Sequence, residues 1–209
     1  VTRRMTKRKV MVGGDYHEFG VIHKWAGRGW GGGSYQQRRV FINNNTLFTQ
    51  GGDTDGRGTR NKLNLDLNTV TLIRLGSAKK DDTDDTDGFT IQIKHPRWLG
   101  ATISGSERFW SPDKAQINRM AEIIADYTPK TPMIVMKRGL SHGDAQFKNI
   151  DGSYVRDATG GIRTLLEDDR VDALDAFHIT HHGAEYTRVL VGEVKGYVAT
   201  HLLKPVTAA

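Results

Sequence analysis

Apolar and polar residues alternate over short stretches through the first hundred residues of the chain. Phe19 to Trp25, Arg39 to Ile42, Thr46 to Gln50, Leu63 to Leu67, Val70 to Leu75, Phe89 to Lys94 and Leu99 to Ser104 join that alternation to β-branched and aromatic residues. A period of two with such residues predicts half-buried strands. The interruptions are turn formers. In RRVFINNNTLFTQ, Arg38 to Gln50, two apolar runs flank three asparagines. Asn tolerates positive φ and bonds its own backbone, so Asn43 to Asn45 predict a tight turn between two strands. GRGWGGG, GGDTDGRG and DDTDDTDG predict longer hairpin loops.

The period changes at Ser111. Ser-Pro predicts an N-cap followed by proline at the first helical position. Ile117, Met120, Ala121 and Ile124 then share one face at helical spacing. The helix is expected to end near Tyr127, before TPKTP interrupts regular structure. Beyond it, Met133 to Met136, Tyr154 to Arg156, Arg170 to Ile179, Tyr186 to Val191 and Gly196 to Thr200 read as strands. LLEDDRVDALDAF also scans as a helix; a strand from Arg170 is preferred because its surroundings are β and turn-rich. The expected organisation is a basic arm (1–15), a first domain (16–128), a linker (129–149) and a second domain (150–209).

A chain of 209 residues, 37% hydrophobic and 26% charged, suits one large or two small globular domains. No apolar run approaches the roughly 20 residues a transmembrane helix needs. The opening residues, VTRRMTKRKV, lack the apolar core of a secretory signal, so an intracellular setting is expected, peripheral to a membrane or within a large assembly. The absence of cysteine excludes disulfides and thiolate ligands. The net charge of +6 is unevenly placed: residues 1–40 hold nine Lys or Arg against Asp15 and Glu18, and the remainder is close to neutral. A basic start of this kind suits phosphate, in lipid heads or nucleic acid, or an acidic protein face.

FGVIHKW, a glycine-rich loop and RRVFINNNTLFTQ together resemble the opening of a pleckstrin homology (PH) domain. Gly20, Ile22 and Lys24 match that family's first strand, and Arg39, Phe41 and Leu47 its next two. Gln37 stands where the family keeps a lysine and Val40 where it keeps an aromatic residue, and Trp110 lies before the closing helix rather than in it. The resemblance covers about 16–128 and implies a seven-stranded barrel with a C-terminal capping helix. GAEYTRVLVGEVKGYVATHLLKP resembles the last strands of an SH3-like barrel of bacterial type, through Tyr186, Val189, Gly196, Tyr197, Val198 and Leu203. That resemblance covers about 150–205. Ala199, His201 and Leu202 stand where proline-binding SH3 domains have Pro, Asn and Tyr, so no proline groove is expected. The implied fold class is mainly β, one capped barrel followed by a smaller one.

The PH resemblance implies an anion or partner site at Lys24, Arg28, Arg38 and Arg39, with Trp30 at the loop tip. A phosphoinositide headgroup would be held there by charge-assisted bonds. GRGWGG fits a dinucleotide-binding pattern, but that chemistry needs a helix to follow and a strand pattern follows instead. DDTDDTDG has no glutamate at the closing position of a calcium loop, so a solvated loop is expected. His178, His181 and His182 form the only histidine cluster, and zinc would require them to converge. Ser141-His142-Gly143-Asp144 has acyl-transfer residue types, though adjacency in sequence is not a triad.

These observations lead to an expected non-enzymatic adaptor or structural subunit, with no catalytic residue, metal or cofactor. It would dock through the first domain onto an acidic protein or membrane surface and contact other proteins through the second. Two alternatives stand beside it. One is an accessory subunit of a large assembly such as a ribonucleoprotein, with the basic arm on phosphate. The other is a metal-dependent hydrolase at His178, His181 and His182.

Overall fold

A computed structural model of the chain describes residues 15–28, 32–51, 63–80, 86–96, 104–136 and 145–206. The fold is mainly β, with one α-helix among the described residues. Strands β1 (Tyr16–Arg28), β2 (Gly32–Asn43), β3 (Thr46–Gly51) and β4 (Leu63–Asp66) form an antiparallel meander. The turn between β2 and β3 is made by Asn44 and Asn45, at φ of 47° and 62°. Residues that tolerate the left-handed region therefore stand where the hairpin needs them. A bulge at Phe19 and Gly20, the latter at φ 79°, turns Phe19 into the core.

β5 (Leu72–Lys79), β6 (Asp87–Pro96) and β7 (Ser104–Ser111) form a second meander, and β7 meets β1 at His23 and Lys24. The expected strand from Leu99 falls largely on residues outside the described ones; among the described residues a strand runs from Ser104 to Ser111. Its alternation sends Glu107 and Phe109 to the core face and Arg108 and Trp110 to the other. A strand of Ser, Gly and charged residues shows little apolar period, which is why the sequence hid it.

Helix α1 (Lys114–Tyr127) buries Ile117, Met120, Ala121, Ile124 and Ala125. The cap differs from expectation. Ser111 ends β7, and Asp113 caps the helix by accepting from the Ala115 N–H at 2.8 Å. The Gln116 amide donates to Phe19 O at 2.8 Å, tying the helix start to the bulge.

β8 (Thr131–Val135), β9 (Arg170–His181), β10 (Ala184–Val191), β11 (Val194–Ala199) and β12 (Leu203–Pro205) complete the strands. β8 begins inside the Pro-rich segment expected to interrupt structure: Pro132 sits within it. The expected strand from Tyr154 to Arg156 is absent; residues 145–165 form a coil joined by single bridges such as Lys148 to Tyr197 and Arg156 to Ile162. The β9–β10 turn is His182 and Gly183, both at positive φ.

The strands form one connected sheet in the order β11-β10-β9-β5-β6-β7-β1-β2-β3-β4, with β8 joining β9 and β12 joining β8. Its central link is short: β9 runs parallel to β5 only at Phe177 beside Ile73 and His178 beside Arg74. One core gathers β1 to β7 and α1 and also takes Leu174, Phe177, Ile179 and Tyr197 from the second half. A smaller core, including Val135, Phe147, Leu165, Val189 and Val198, fills the rest. Gly196 on β11 lies flat against the Phe147 ring, and a Cβ there would overlap it. Gly196→Ala is expected to cost about 2 kcal/mol by overpacking. Urea titration measures this, and an unchanged midpoint would contradict the packing.

Candidate functional site

The basic residues expected to act together lie on two faces. Lys24 and Arg38 share the core face of β1 and β2 with Ile22 and Val40, towards the open end of the strands. Lys24 is held there by Glu107, Nζ to Oε2 2.7 Å, with His95 on the other oxygen of that carboxylate at 3.8 Å. Arg38 donates to its neighbours, to the Gln37 carbonyl at 2.8 Å and to the Gln36 side chain. Arg39 is on the opposite face, where Glu18 accepts from Nε at 2.7 Å and from Nη2 at 2.9 Å. The hydrogen bond and charge of Glu18 hold the Arg39 guanidinium above its ordinary pKa despite partial burial. Arg28 ends β1 opposite Gly32. Trp30, the arm at 1–14, the aspartates at 81–85 and Ser141 to Asp144 lie outside the described residues. Gly32 opens strand β2, not a helix, which is the wrong element for the dinucleotide pattern.

A second feature has no local sequence signal. Where β9 leaves β5, the sheet opens into a cleft of about 520 Å³ between the β5 edge, the start of α1 and the β9–β10 hairpin. Its floor is apolar, from Leu75, Phe89, Ile117, Ile150 and Ile179, and its rim carries Arg74, Lys114, His178, His181 and Glu185. The Arg74 side chain is exposed and makes no hydrogen bond or ion pair with the described residues. Lys114 lies over the Phe89 ring at 5.8 Å. Among the described residues the rim thus joins two cations and two imidazoles to one carboxylate, Glu185, which lies 3.5 Å from His178.

The histidines are separated by the strand geometry. His178 Nδ1 is 3.0 Å from Thr187 Oγ1 and 3.5 Å from Glu185 Oε1. His181, three residues further along β9, lies between Gly152 and Tyr186, the two rings with centroids 6.1 Å apart. Its Nε2 is buried without a hydrogen-bond partner among the described residues. Gly152, at φ 89°, admits that ring because a Cβ would stand 2.9 Å from it. His182 is exposed in the turn. Among the described residues no group of three or more His, Asp or Glu side chains converges as metal ligands would.

The two halves are clamped behind the cleft. Arg188 of β10, with a side chain only 3% exposed, meets Glu122 at 2.7 Å and Asp126 at 3.0 Å, both on α1. Lys195 adds a bond to Asp126 at 2.7 Å, and the Tyr197 hydroxyl donates to Glu122. Burial alone would raise the Asp126 carboxyl, but the bonds from Lys195 and Arg188 outweigh it and hold it below its ordinary value. Burial and the Glu122 charge push the Tyr197 phenol far up, so it stays a donor. These bonds tie α1, whose first turns line the cleft through Lys114 and Ile117, to β10 and β11.

No family model matches the chain, and no curated protein matches it either. Among the described residues no helix is long and apolar enough to cross a membrane.

Proposed function

We propose that the chain is a non-enzymatic adaptor or structural subunit whose two β units hold an acidic protein partner at the cleft between them. The first unit reads as a PH-like barrel with α1 as its cap, the second as an SH3-like barrel. Support for the first comes from the strand order β5-β6-β7-β1-β2-β3-β4 with one helix packed on the core. Support for the second comes from the short antiparallel run β12-β8-β9-β10-β11. The observation that carries the docking reading is an apolar floor, with Leu75 and Ile117, in a cleft also lined by Arg74 and Lys114. Such a surface attracts carboxylates from a distance and buries apolar groups on contact. The Lys24 and Arg39 charges, by contrast, are already met by Glu107 and Glu18.

Affinity capture from native extract, followed by chemical cross-linking, tests this. Cross-links from an acidic stretch of one captured protein are expected to cluster at Lys114 on the cleft rim. Links spread evenly over the surface lysines would overturn the cleft as the docking site. Sedimentation with phosphatidylserine-containing phosphatidylcholine vesicles across a salt series runs in parallel. The protein is expected to stay in the supernatant; pelleting abolished by Lys24→Ala or Arg38→Ala would transfer the site to the β1–β2 face.

A further inference from the structure

Resting on that docking reading, the geometry of β5 narrows what the cleft accepts. β5 pairs with β6 along its whole length, from Leu72 beside Lys94 to Lys79 beside Asp87. On its other side β9 meets it only at Ile73 and Arg74. Among the described residues no strand covers the edge from Leu75 to Ala78. An edge of this kind presents a row of backbone donors and acceptors for another strand. Its end is held firm, because the Trp110 indole crosses over Gly88 and donates to Ala78 O at 2.9 Å.

The edge has a hollow on each face, and the two differ in chemistry. Towards the core is the cleft, where Leu75, Phe89 and Ile117 offer apolar surface. On the outer face a hollow of about 240 Å³ lies over Gly76 and Ala78, which have little or no side chain to fill it. Arg74 and Arg108 bound that hollow, and the Arg108 charge also reaches the Tyr35 phenol. A strand laid along the edge would send successive side chains to opposite faces. Alternate residues would enter the apolar cleft, and those between them would face two guanidinium groups, which favour carboxylates.

We propose that the Leu75–Ala78 edge takes an extended segment of an acidic protein partner, about four residues long, in which apolar and acidic residues alternate. The segment adds to β5 as a strand, occupying the side that β9 leaves after Arg74.

Fluorescence anisotropy with a labelled eight-residue peptide alternating Val and Glu tests this, using the whole chain. Only alternate amides of an added strand face β5. Backbone N-methylation of one alternate set is therefore expected to weaken binding by about tenfold or more, while methylation of the other set is tolerated. Arg74→Glu with Arg108→Glu is expected to weaken the Val-Glu peptide by about tenfold and to favour a Val-Lys peptide. Both side chains are exposed, and an unchanged circular dichroism spectrum confirms that the variant folds. Equal binding by the two methylated peptides, with poly-glutamate still bound, would overturn strand addition and leave acidic docking standing. No binding of either poly-glutamate or the Val-Glu peptide would overturn both.

Discussion

Phe177→Ala is expected to destabilise the half of the chain in which Phe177 does not lie. Its ring is fully buried and meets Tyr197 edge to face at 5.7 Å between centroids. It stands beside Ile73 in the core built chiefly by β1 to β7 and α1. Truncating a buried phenylalanine removes its transfer free energy and leaves a cavity, about 3–5 kcal/mol together. All four tryptophans, Trp25, Trp30, Trp98 and Trp110, precede α1, so intrinsic fluorescence reports on the first half. The fluorescence transition in urea is therefore expected to shift by that amount and to coincide with circular dichroism at 222 nm. Two transitions, with the tryptophan one unmoved, would show that each half folds on its own and that the shared core contributes little. The outcome bears on function, since a cleft walled by both halves exists only while they stay docked.

How far the sequence revealed this fold depends on the range of the interaction. The hairpin at 38–50 was legible because Asn44 and Asn45 must adopt positive φ and Val40, Ile42 and Leu47 must be buried, all local demands. The buried face of α1 was legible for the same reason. Its cap was not, because Ser111 and Asp113 are both good caps and only the reach of β7 decides between them. The Ser111 hydroxyl is instead used between Gln116 and the Asp113 N–H. The charged residues were the least legible. Lys24 and Arg39 look available in sequence, and their partners Glu107 and Glu18 come from other strands or another register. The cleft left no periodic trace at all. It arises from a two-residue contact between β5 and β9, and Gly76 and Ala78, which lie under the separate outer hollow, read locally as a weak end to a strand.

Arg188→Ala carries the other large effect, and its pH dependence distinguishes an ion-pair clamp from simple packing. The guanidinium is buried, while Glu122 and Asp126 keep 29% and 36% of their side-chain surface exposed. Breaking a buried pair typically costs about 3–5 kcal/mol. Here the carboxylates left behind reach water, so the low end is expected, about 3 kcal/mol at neutral pH with the lost stem packing included. In the intact protein the Asp126 carboxyl sits below its ordinary 3.8, so it stabilises the fold above that value and the contribution fades as pH falls through the lower, folded value. Without Arg188, burial still raises this carboxyl and only Lys195 opposes it, so its folded and ordinary values draw together. The variant's stability is then expected to depend less on pH below about 4, and the gap between the two proteins to narrow there. Denaturation curves at pH 7 and pH 3 measure this. A gap of equal size at both would mean that Arg188 acts through packing of its stem alone, and Arg188→Met would then restore most of the stability. If the gap narrows and Arg188→Met fails to restore it, the charge fixes α1 against β10 and, with them, the walls of the cleft.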